Sequence, residues 1–203
     1  MDPLETRRLF MEDGEWERTS ISWKALIPLR DFNCRCESDE SPRQHYLRLR
    51  PRFNIPLEVI EQWLYPHYYN RDTVNNYGWL DYDIIGFEET LMSVRQLAAM
   101  HVIGPYRSYV RTRELNHPFD GFACSPKDVD HWREKGTWRV PPVVIDVTTI
   151  RDIPPYAELA DPLQLVEGHS RFGYLLAMRR AGLITDDSTH RVYRMYIQEG
   201  DGA

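Results

Sequence analysis

The 203-residue sequence lacks the features of a secreted or membrane protein. No apolar run approaches the length of a membrane span, and the charged segment from Met1 to Glu17 has no apolar signal core. Cysteine is scarce, with only Cys34, Cys36 and Cys124, and an odd number argues against a secreted disulfide framework. We therefore expect a cytoplasmic protein with no membrane partner.

A cysteine-based metal site is also not expected. Cys34 and Cys36 form a C-x-C pair, but no second pair completes a zinc site. His45 could join them on paper. Reduced thiols that hold no metal are the preferred interpretation.

An excess of positive charge is missing too. The formal net charge is −6, whereas a protein that holds nucleic acid through phosphate contacts usually carries a basic face. A local basic cluster is nevertheless present, formed by Arg43, Arg48, Arg50 and Arg52. With 42% hydrophobic and 28% charged residues, the composition is that of an ordinary globular protein. Small phosphorylated molecules remain open as partners.

Hydrophobic patterning predicts an α/β (α+β) fold in which helices flank a mixed β-sheet. The expected strands are Ile21–Leu29, Tyr46–Phe53, Val102–Arg111, Val140–Val147, Leu163–Val166 and His190–Tyr196. The expected helices are one from Asn54-Ile55-Pro56 to Pro66, Gly86–Met100, Ser125–Gly136 and Ser170–Arg180. The expected loops are residues 33–45, 66–82 and 151–162.

We expect one compact domain in three parts. Residues 1–18 are interpreted as a polar arm. Residues 19–137 form a mixed α/β elaboration to which the sequence assigns no role. Residues 138–203 form the core that carries the most informative motif.

That motif joins an expected strand to an expected helix. The apolar strand is followed by Glu167, Gly168, His169, Ser170 and Arg171. A helix N-terminus offers N–H groups without intrahelical partners and a partial positive charge. An arginine, a histidine and a hydroxyl at that place make a cradle for a phosphate.

The order of segments around this motif resembles the ParB/sulfiredoxin superfamily. The matching segments are Pro141–Asp146, Leu163–Arg171, a helix closed by Ala181-Gly182, and His190–Tyr193. In that family, a strand ending in Gly-x-x-Arg leads into a helix that holds a phosphate. ParB proteins bind a nucleotide this way, sulfiredoxins use a Gly-Cys-His-Arg version with ATP, and some free-serine kinases carry an acidic-Gly-His-His-Arg version. The resemblance covers about residues 138–197.

The resemblance implies a role for each residue of the motif. Gly168 would let the backbone approach a phosphate, and Arg171 would clamp its oxygens. His169 and Ser170 would donate hydrogen bonds, and His169 could also move a proton. Glu167 would hold Mg²⁺ or act as a base. The implied function is binding of a nucleoside diphosphate or triphosphate, with nucleotide hydrolysis or phosphoryl transfer assisted by Mg²⁺.

The chain also departs from the family pattern. The sulfiredoxin catalytic cysteine is absent, because His169 and Ser170 occupy that neighbourhood, so repair of cysteine sulfinate is not expected. No ParB-type helix-turn-helix is recognisable after the motif, so sequence-specific loading onto DNA is not expected. Ser170 does not lie in a G-x-S-x-G turn, which argues against a hydrolytic nucleophile.

Other interpretations stay open beside this one. The motif could be an ordinary bend with a Ser170 cap and a solvated Arg171. The protein could be a DNA- or protein-binding regulatory module of a plasmid, phage or defence system. A metal-dependent nuclease could use the same phosphate cradle, with His169 and Glu167 in its active site. Whether the protein is an enzyme is therefore open.

Weaker candidate sites lie elsewhere in the chain. Arg48, Arg50 and Arg52 alternate on one face of an expected strand and could meet a nucleic-acid backbone, although a solvated strand edge fits equally well. Asp81 and Asp83 could share a metal on one strand face, although solvated turn acids are commoner. Further candidates, for which a structural role is preferred, are Tyr65–Tyr69 with Asn70, Asp72 and Asn76, and the expected turn His117–Asp120.

Overall fold

A computed structural model describes residues 13–29, 40–116 and 125–198. The chain divides into two compact units. The first takes its residues from 1–87, 152–158 and 197–203, and the second from 88–151 and 159–196. Cys34, Cys36, Cys124 and the expected turn His117–Asp120 lie outside the described residues, so the interpretations that rest on them stay predictions.

The first unit is mainly helical in its described part. Its helices are α1 (Asp13–Glu17), α2 (Ile21–Ala25), α3 (Pro42–Leu49), α4 (Leu57–Val59), a π-helical turn (Ile60–Leu64), α5 (Tyr65–His67) and α6 (Arg71–Tyr77). Their buried faces meet around Trp23, which is fully buried and stacks on Tyr68 with ring centroids 4.8 Å apart. The hydroxyl of Tyr68 donates to the backbone oxygen of Trp23 at 2.9 Å.

Two expected strands of the first unit are wrong. Residues 21–25 form α2 because the Ser20 side chain accepts a hydrogen bond from the backbone N–H of Trp23 and starts a helix. Residues 42–49 form α3 because Ser41 and Gln44 make a reciprocal capping box. The large side chains that suggested a strand here belong to a helix that buries His45 and Leu49, four residues apart.

The expected loop at 66–82 is also wrong in part, since α5 and α6 begin within or beside it. Pro66 does not end the preceding helix. Proline has no N–H to donate, and the chain passes this point through the π-helical turn, in which the N–H of Tyr65 donates to the oxygen of Ile60. Asn70 caps α6 by accepting from the N–H of Thr73 at 3.1 Å.

The second unit carries the sheet. Its elements are β1 (Ile85–Ser93), α7 (Val94–Ala98), α8 (Gly104–Leu115), α9 (Pro126–Lys135), β2 (Val143–Asp146), a 3₁₀ turn (Val147–Thr149), β3 (Leu163–Glu167), α10 (His169–Arg180) and β4 (Thr189–Ile197). The first residues of β1 and the last residue of β4 are assigned to the first unit. The four strands form one mixed sheet in the order β1-β4-β2-β3, which confirms the expected fold class.

The helices and strands expected in the C-terminal part of the chain correspond to observed elements. The helix expected from Ser125 is α9, with a capping box between Ser125 and Asp128 and a left-handed Gly136 at its end. The expected strands at 140–147, 163–166 and 190–196 correspond to β2, β3 and β4. The expected helix at 170–180 is α10, which begins one residue earlier.

Two expectations upstream are wrong. Gly86–Met100 is not one helix but β1 followed by α7, because the capping box of Ser93 and Gln96 delays the helix start to Val94. Val102–Arg111 is not a strand. Pro105 lies in the first turn of α8, where its fixed φ favours a helix start.

The register of the sheet brings the motif close to the entry into β2. Strand β2 pairs antiparallel with β3, and Val143 lies opposite Glu167. It pairs parallel with β4, and Val143 lies opposite Tyr193. The end of β3 therefore lies beside the residues that precede β2, including Pro142.

A hydrophobic core joins the sheet of this unit to its helices. It includes Val144 of β2, Leu165 of β3 and Phe172 of α10, with both tryptophans of the α9 region, Trp132 and Trp138. Among the described residues, no helix combines the length and the apolar character needed to cross a membrane.

Candidate functional site

The candidate site is the turn from β3 into α10, residues 167–171. Gly168 is the N-cap of α10 and has a left-handed backbone with φ 104°. The first helical hydrogen bond runs from the N–H of Phe172 to the oxygen of Gly168 at 2.8 Å. A Cβ at this position would lie 2.7 Å from the Cβ of Pro142, which is too close. Both the φ angle and the space therefore require glycine here.

Arg171 folds back over this turn. Its Nη1 donates to the backbone oxygen of Val140 at 2.8 Å, and its Nη2 lies 3.8 Å from Oε1 of Glu167. Its Nη2 and Nε lie 3.1 and 3.2 Å from the point that a Cβ of Gly168 would occupy. The side chain is only 19% exposed, so Arg171 is not the solvated side chain that the ordinary-bend interpretation assumed. The guanidinium is held beside the start of the helix.

His169 is buried beneath the turn. It is 9% exposed, and its ring packs on Tyr106 of α8 with centroids 4.4 Å apart. This contact fixes the imidazole against the aromatic ring. A role for His169 in hydrogen bonding or proton transfer would act from this packed position.

Ser170 does not cap the helix, as the ordinary-bend interpretation assumed. Its Oγ lies 2.5 Å from the hydroxyl oxygen of Tyr109 on α8. Nη2 of Arg113 donates to the same tyrosine oxygen at 3.4 Å, and the guanidinium lies 4.5 Å above the tyrosine ring. A hydroxyl pair and a second arginine thus stand beside the first turn of α10.

The aromatic and basic residues on α8 were missed by sequence reasoning. Tyr106 and Tyr109 belong to a segment expected to be a strand, Arg113 lies just beyond it, and Tyr109 is 61 residues away from Ser170. A usable signal was Gly104-Pro105, a helix start of the kind recognised at Ser125-Pro126. Gly173 then allows close packing of the two helices, since its Cβ would lie 2.4 Å from the Cβ of Arg113.

This arrangement can attract an anion. The N-terminus of a twelve-residue helix carries a partial positive charge, and an arginine is fixed beside it. Glu167 brings an opposing carboxylate, which reduces the local positive charge. Within residues 13–29, 40–116 and 125–198, no group of three or more histidine, cysteine or acidic residues could hold a metal. A Mg²⁺ ion here would depend on ligand oxygens, with Glu167 as a protein ligand.

The arginines of the predicted nucleic-acid face do not share a strand. Arg48 belongs to the last turn of α3, Arg50 is its C-cap, and Arg52 follows in a turn. Arg48 donates to Oε1 of Glu40 at 2.7 Å, and Arg52 donates to Oδ2 of Asp83 at 2.6 Å. The strand geometry is therefore wrong, and two of the three charges are paired with carboxylates.

The pairing changes the acidity of both carboxyl groups. Burial raises the pKa of Glu40, but hydrogen bonds from Arg48 and from the Leu29 N–H outweigh it, and the net pKa is lowered. The hydrogen bond from Arg52 lowers the pKa of Asp83. Asp81 and Asp83 lie in a turn rather than on a strand face, and the proposed shared-metal geometry is therefore wrong.

The aromatic segment after Pro66 has structural contacts. Tyr68 is fully buried against Trp23, and Asn70 caps α6. Nδ2 of Asn76 donates to the oxygen of Asp72, and its Oδ1 accepts from the N–H of Glu158 at 2.6 Å. These contacts explain the tyrosine- and asparagine-rich composition without a ligand.

A buried histidine lies apart from the turn, on β4. His190 packs between Trp132 and Trp138, and its Nδ1 lies 2.8 Å from the hydroxyl of Thr137. Burial lowers the pKa of His190 to about 4. The imidazole is therefore neutral at physiological pH and is part of the core.

No protein-family model, curated protein or solved structure gives a significant match to this chain.

Proposed function

We propose that the second unit is a nucleotide-binding domain similar to those of the ParB/sulfiredoxin superfamily, and that residues 167–171 bind the phosphate. The observation that carries the proposal is the placement of Arg171. Its guanidinium is held over the left-handed Gly168 at the start of a long helix. A planar guanidinium next to helix N–H groups matches the geometry of phosphate oxygens.

The order of elements supports the same proposal. Strand β3 leads into α10 through the glycine turn, and β4 then returns parallel to β2. This is the succession on which the family resemblance rests. The hydroxyl groups of Ser170 and Tyr109 add donors beside the first turn. They would contact further oxygens of a diphosphate or triphosphate.

The proposed chemistry is nucleotide hydrolysis or phosphoryl transfer. Such reactions need positioning and neutralisation of charge more than covalent participation by the protein. Arg171 would neutralise charge on the transferred phosphoryl group. Glu167 would act as a base towards the attacking hydroxyl or as a ligand of nucleotide-bound Mg²⁺, and His169 would hold or move a proton.

Isothermal titration calorimetry with ATP, CTP, GTP and ADP in the presence of Mg²⁺ tests the binding step. The unmodified protein is expected to bind at least one of them. Arg171→Ala should weaken that binding at least about tenfold, because a bidentate charge-assisted contact is lost. The nucleotide affinity of Arg171→Lys should lie between those of the unmodified protein and Arg171→Ala, because lysine keeps the charge but not the planar guanidinium.

Arg179→Ala is the matched control. Arg179 lies in the last turn of the same helix and pairs with Asp186, so its loss should leave nucleotide affinity unchanged. Absence of binding for all four nucleotides would overturn the proposal. So would equal loss of affinity in the two alanine variants.

The structure does not support the DNA-binding alternative. The arginines on which it rested lie on a helix and its following turn, and Arg48 and Arg52 form ion pairs. Ion pairing reduces the charge available for DNA phosphates. We therefore place the nucleoside phosphate ahead of DNA.

A further inference from the structure

An open cleft separate from the turn at 167–171 lies in the same unit, between α8, α10 and the segment that follows α7. It has a volume of about 450 Å³, within the size range of small-molecule sites. Its apolar lining includes Met100, Val102, Val110, Phe172 and Leu176. The first four of these side chains are at most 9% exposed, so this wall is part of the packed core.

The polar lining of the cleft has more positive than negative charge. Arg107 and Arg111 lie one helical turn apart on α8, and Glu114 is the acidic residue of the lining. Glu114 pairs with Arg111 through a contact of 2.7 Å. The lining of the cleft therefore carries two guanidinium groups and one carboxylate over an apolar wall.

Arg107 is fixed in place. Its Nε donates to the backbone oxygen of Val102 at 2.8 Å, and its Nη2 lies 3.3 Å from Nε2 of His101. His101 itself is tied to β3, because its N–H donates to Leu163 and its oxygen accepts from the N–H of Leu165, both at 2.9 Å. A guanidinium oriented in this way lowers the entropic cost of binding an anion.

We infer that this cleft binds a small amphipathic carboxylate, with its apolar body on the Phe172 and Leu176 wall and its carboxylate on Arg107. The apolar lining favours a hydrocarbon or aromatic body. The excess guanidinium favours a negative head group over a neutral or positive one. This ligand site is additional to the phosphate turn, which uses Arg171.

Octanoate, octylammonium and acetate are suitable probes, because the first two share a body and the first and third share a head group. Binding to the full chain is followed by calorimetry and by backbone amide shifts. Octanoate should bind with one-to-one stoichiometry and shift amides in residues 98–114 and 172–176. Octylammonium and acetate should each bind at least about tenfold more weakly, since each lacks one of the two recognised parts.

Two variants test the two parts of the cleft separately. Arg107→Gln should weaken octanoate binding about fivefold to tenfold, the usual effect of losing a charge-assisted contact. Leu176→Asn should also weaken octanoate binding, because it replaces part of the apolar wall with a polar amide. Arg95→Gln is the matched control, since Arg95 is an exposed arginine of the same unit that pairs with Asp187 outside the cleft.

Thermal denaturation verifies that each variant is folded. If Arg107→Gln does not fold, Arg111→Gln is used instead as the variant that removes a guanidinium from the cleft. Arg171→Ala should bind octanoate as the unmodified protein does. The inference is overturned if octanoate does not bind, if octylammonium binds equally well, or if Arg171→Ala abolishes octanoate binding while Arg107→Gln leaves it intact.

Discussion

At the scale of single residues, Gly168 determines whether the phosphate turn can form. Its left-handed φ is strained for any other residue, and Pro142 fills the space that a side chain would need. Arg171 rests on the face left open by the missing Cβ. One glycine thus allows both the helix start and the position of the guanidinium.

Gly168→Ala should lower the free energy of unfolding by about 2 to 4 kcal/mol, from backbone strain together with the contact to Pro142. Gly182→Ala is the matched control. Gly182 is also left-handed, with φ 71°, but a Cβ there would meet nothing within 4 Å, so the loss should be about 1 kcal/mol. Denaturant unfolding measures both values, and equal losses would show that the Pro142 contact has no energetic role.

His190 gives the second prediction at this scale, because its pKa is lowered from 6.5 to about 4 by burial. The unfolded chain therefore takes up the proton first as the pH falls. Stability from the neutral imidazole is fully present above pH 6.5 and is lost between pH 6.5 and about 4, by about 2 to 3 kcal/mol.

His190→Gln should accordingly show a flatter dependence of unfolding free energy on pH between 6.5 and 4.5. Carboxyl groups that titrate near the lower limit are present in both proteins, so their contribution cancels when the two slopes are compared. A His190→Gln slope equal to that of the unmodified protein would contradict the assignment.

At the scale of elements, local end signals predicted structure better than hydrophobic alternation did. Ser125-Pro126 with Asp128 correctly predicted the start of α9, and the glycine after β3 correctly predicted a strand-to-helix turn. The same type of cap, Ser41-Pro42 with Gln44, starts α3, but these residues lie in a segment expected to be a loop, and the alternating large residues that follow favour a strand. Alternation over eight residues does not distinguish a strand from a short amphipathic helix.

Long-range partners could not be predicted in the same way. Residues 167–171 were found because they are contiguous, but Tyr106, Tyr109 and Arg113 reach the turn only through the packing of α8 on α10. That packing depends on Gly173, where a Cβ would lie 2.4 Å from Cβ of Arg113 and 2.9 Å from the backbone oxygen of Val110. Nothing in the sequence near either helix identifies the other as its partner.

Gly173→Ala tests this packing. Alanine favours a helix by about 1 kcal/mol over glycine, but the close approach of the Val110 backbone should reverse the sign and destabilise the protein by about 1 to 3 kcal/mol. The variant should also weaken nucleotide binding, because Tyr109 would move away from Ser170. Denaturant unfolding and calorimetry measure the two effects. A stabilised variant with unchanged nucleotide affinity would contradict this account of how α8 packs on α10.

At the scale of the whole molecule, the described chain is two compact units, and the second contains both proposed sites. Its mixed sheet brings the end of β3 beside the entry to β2, which sets the Val140 oxygen within reach of Arg171. The phosphate turn uses residues 167–171 at the start of α10, and the cleft uses Phe172 and Leu176 of the same helix. We therefore expect ligand binding to depend mainly on the second unit.

A crystal of the full chain soaked with the tightest-binding nucleotide and Mg²⁺ tests the central claim most directly. The account predicts phosphate density over the first turn of α10, within hydrogen-bond distance of the N–H groups of residues 169–171 and of the Arg171 guanidinium. Phosphate density elsewhere on the protein, with Arg171 still contacting only the Val140 oxygen and Glu167, would contradict it.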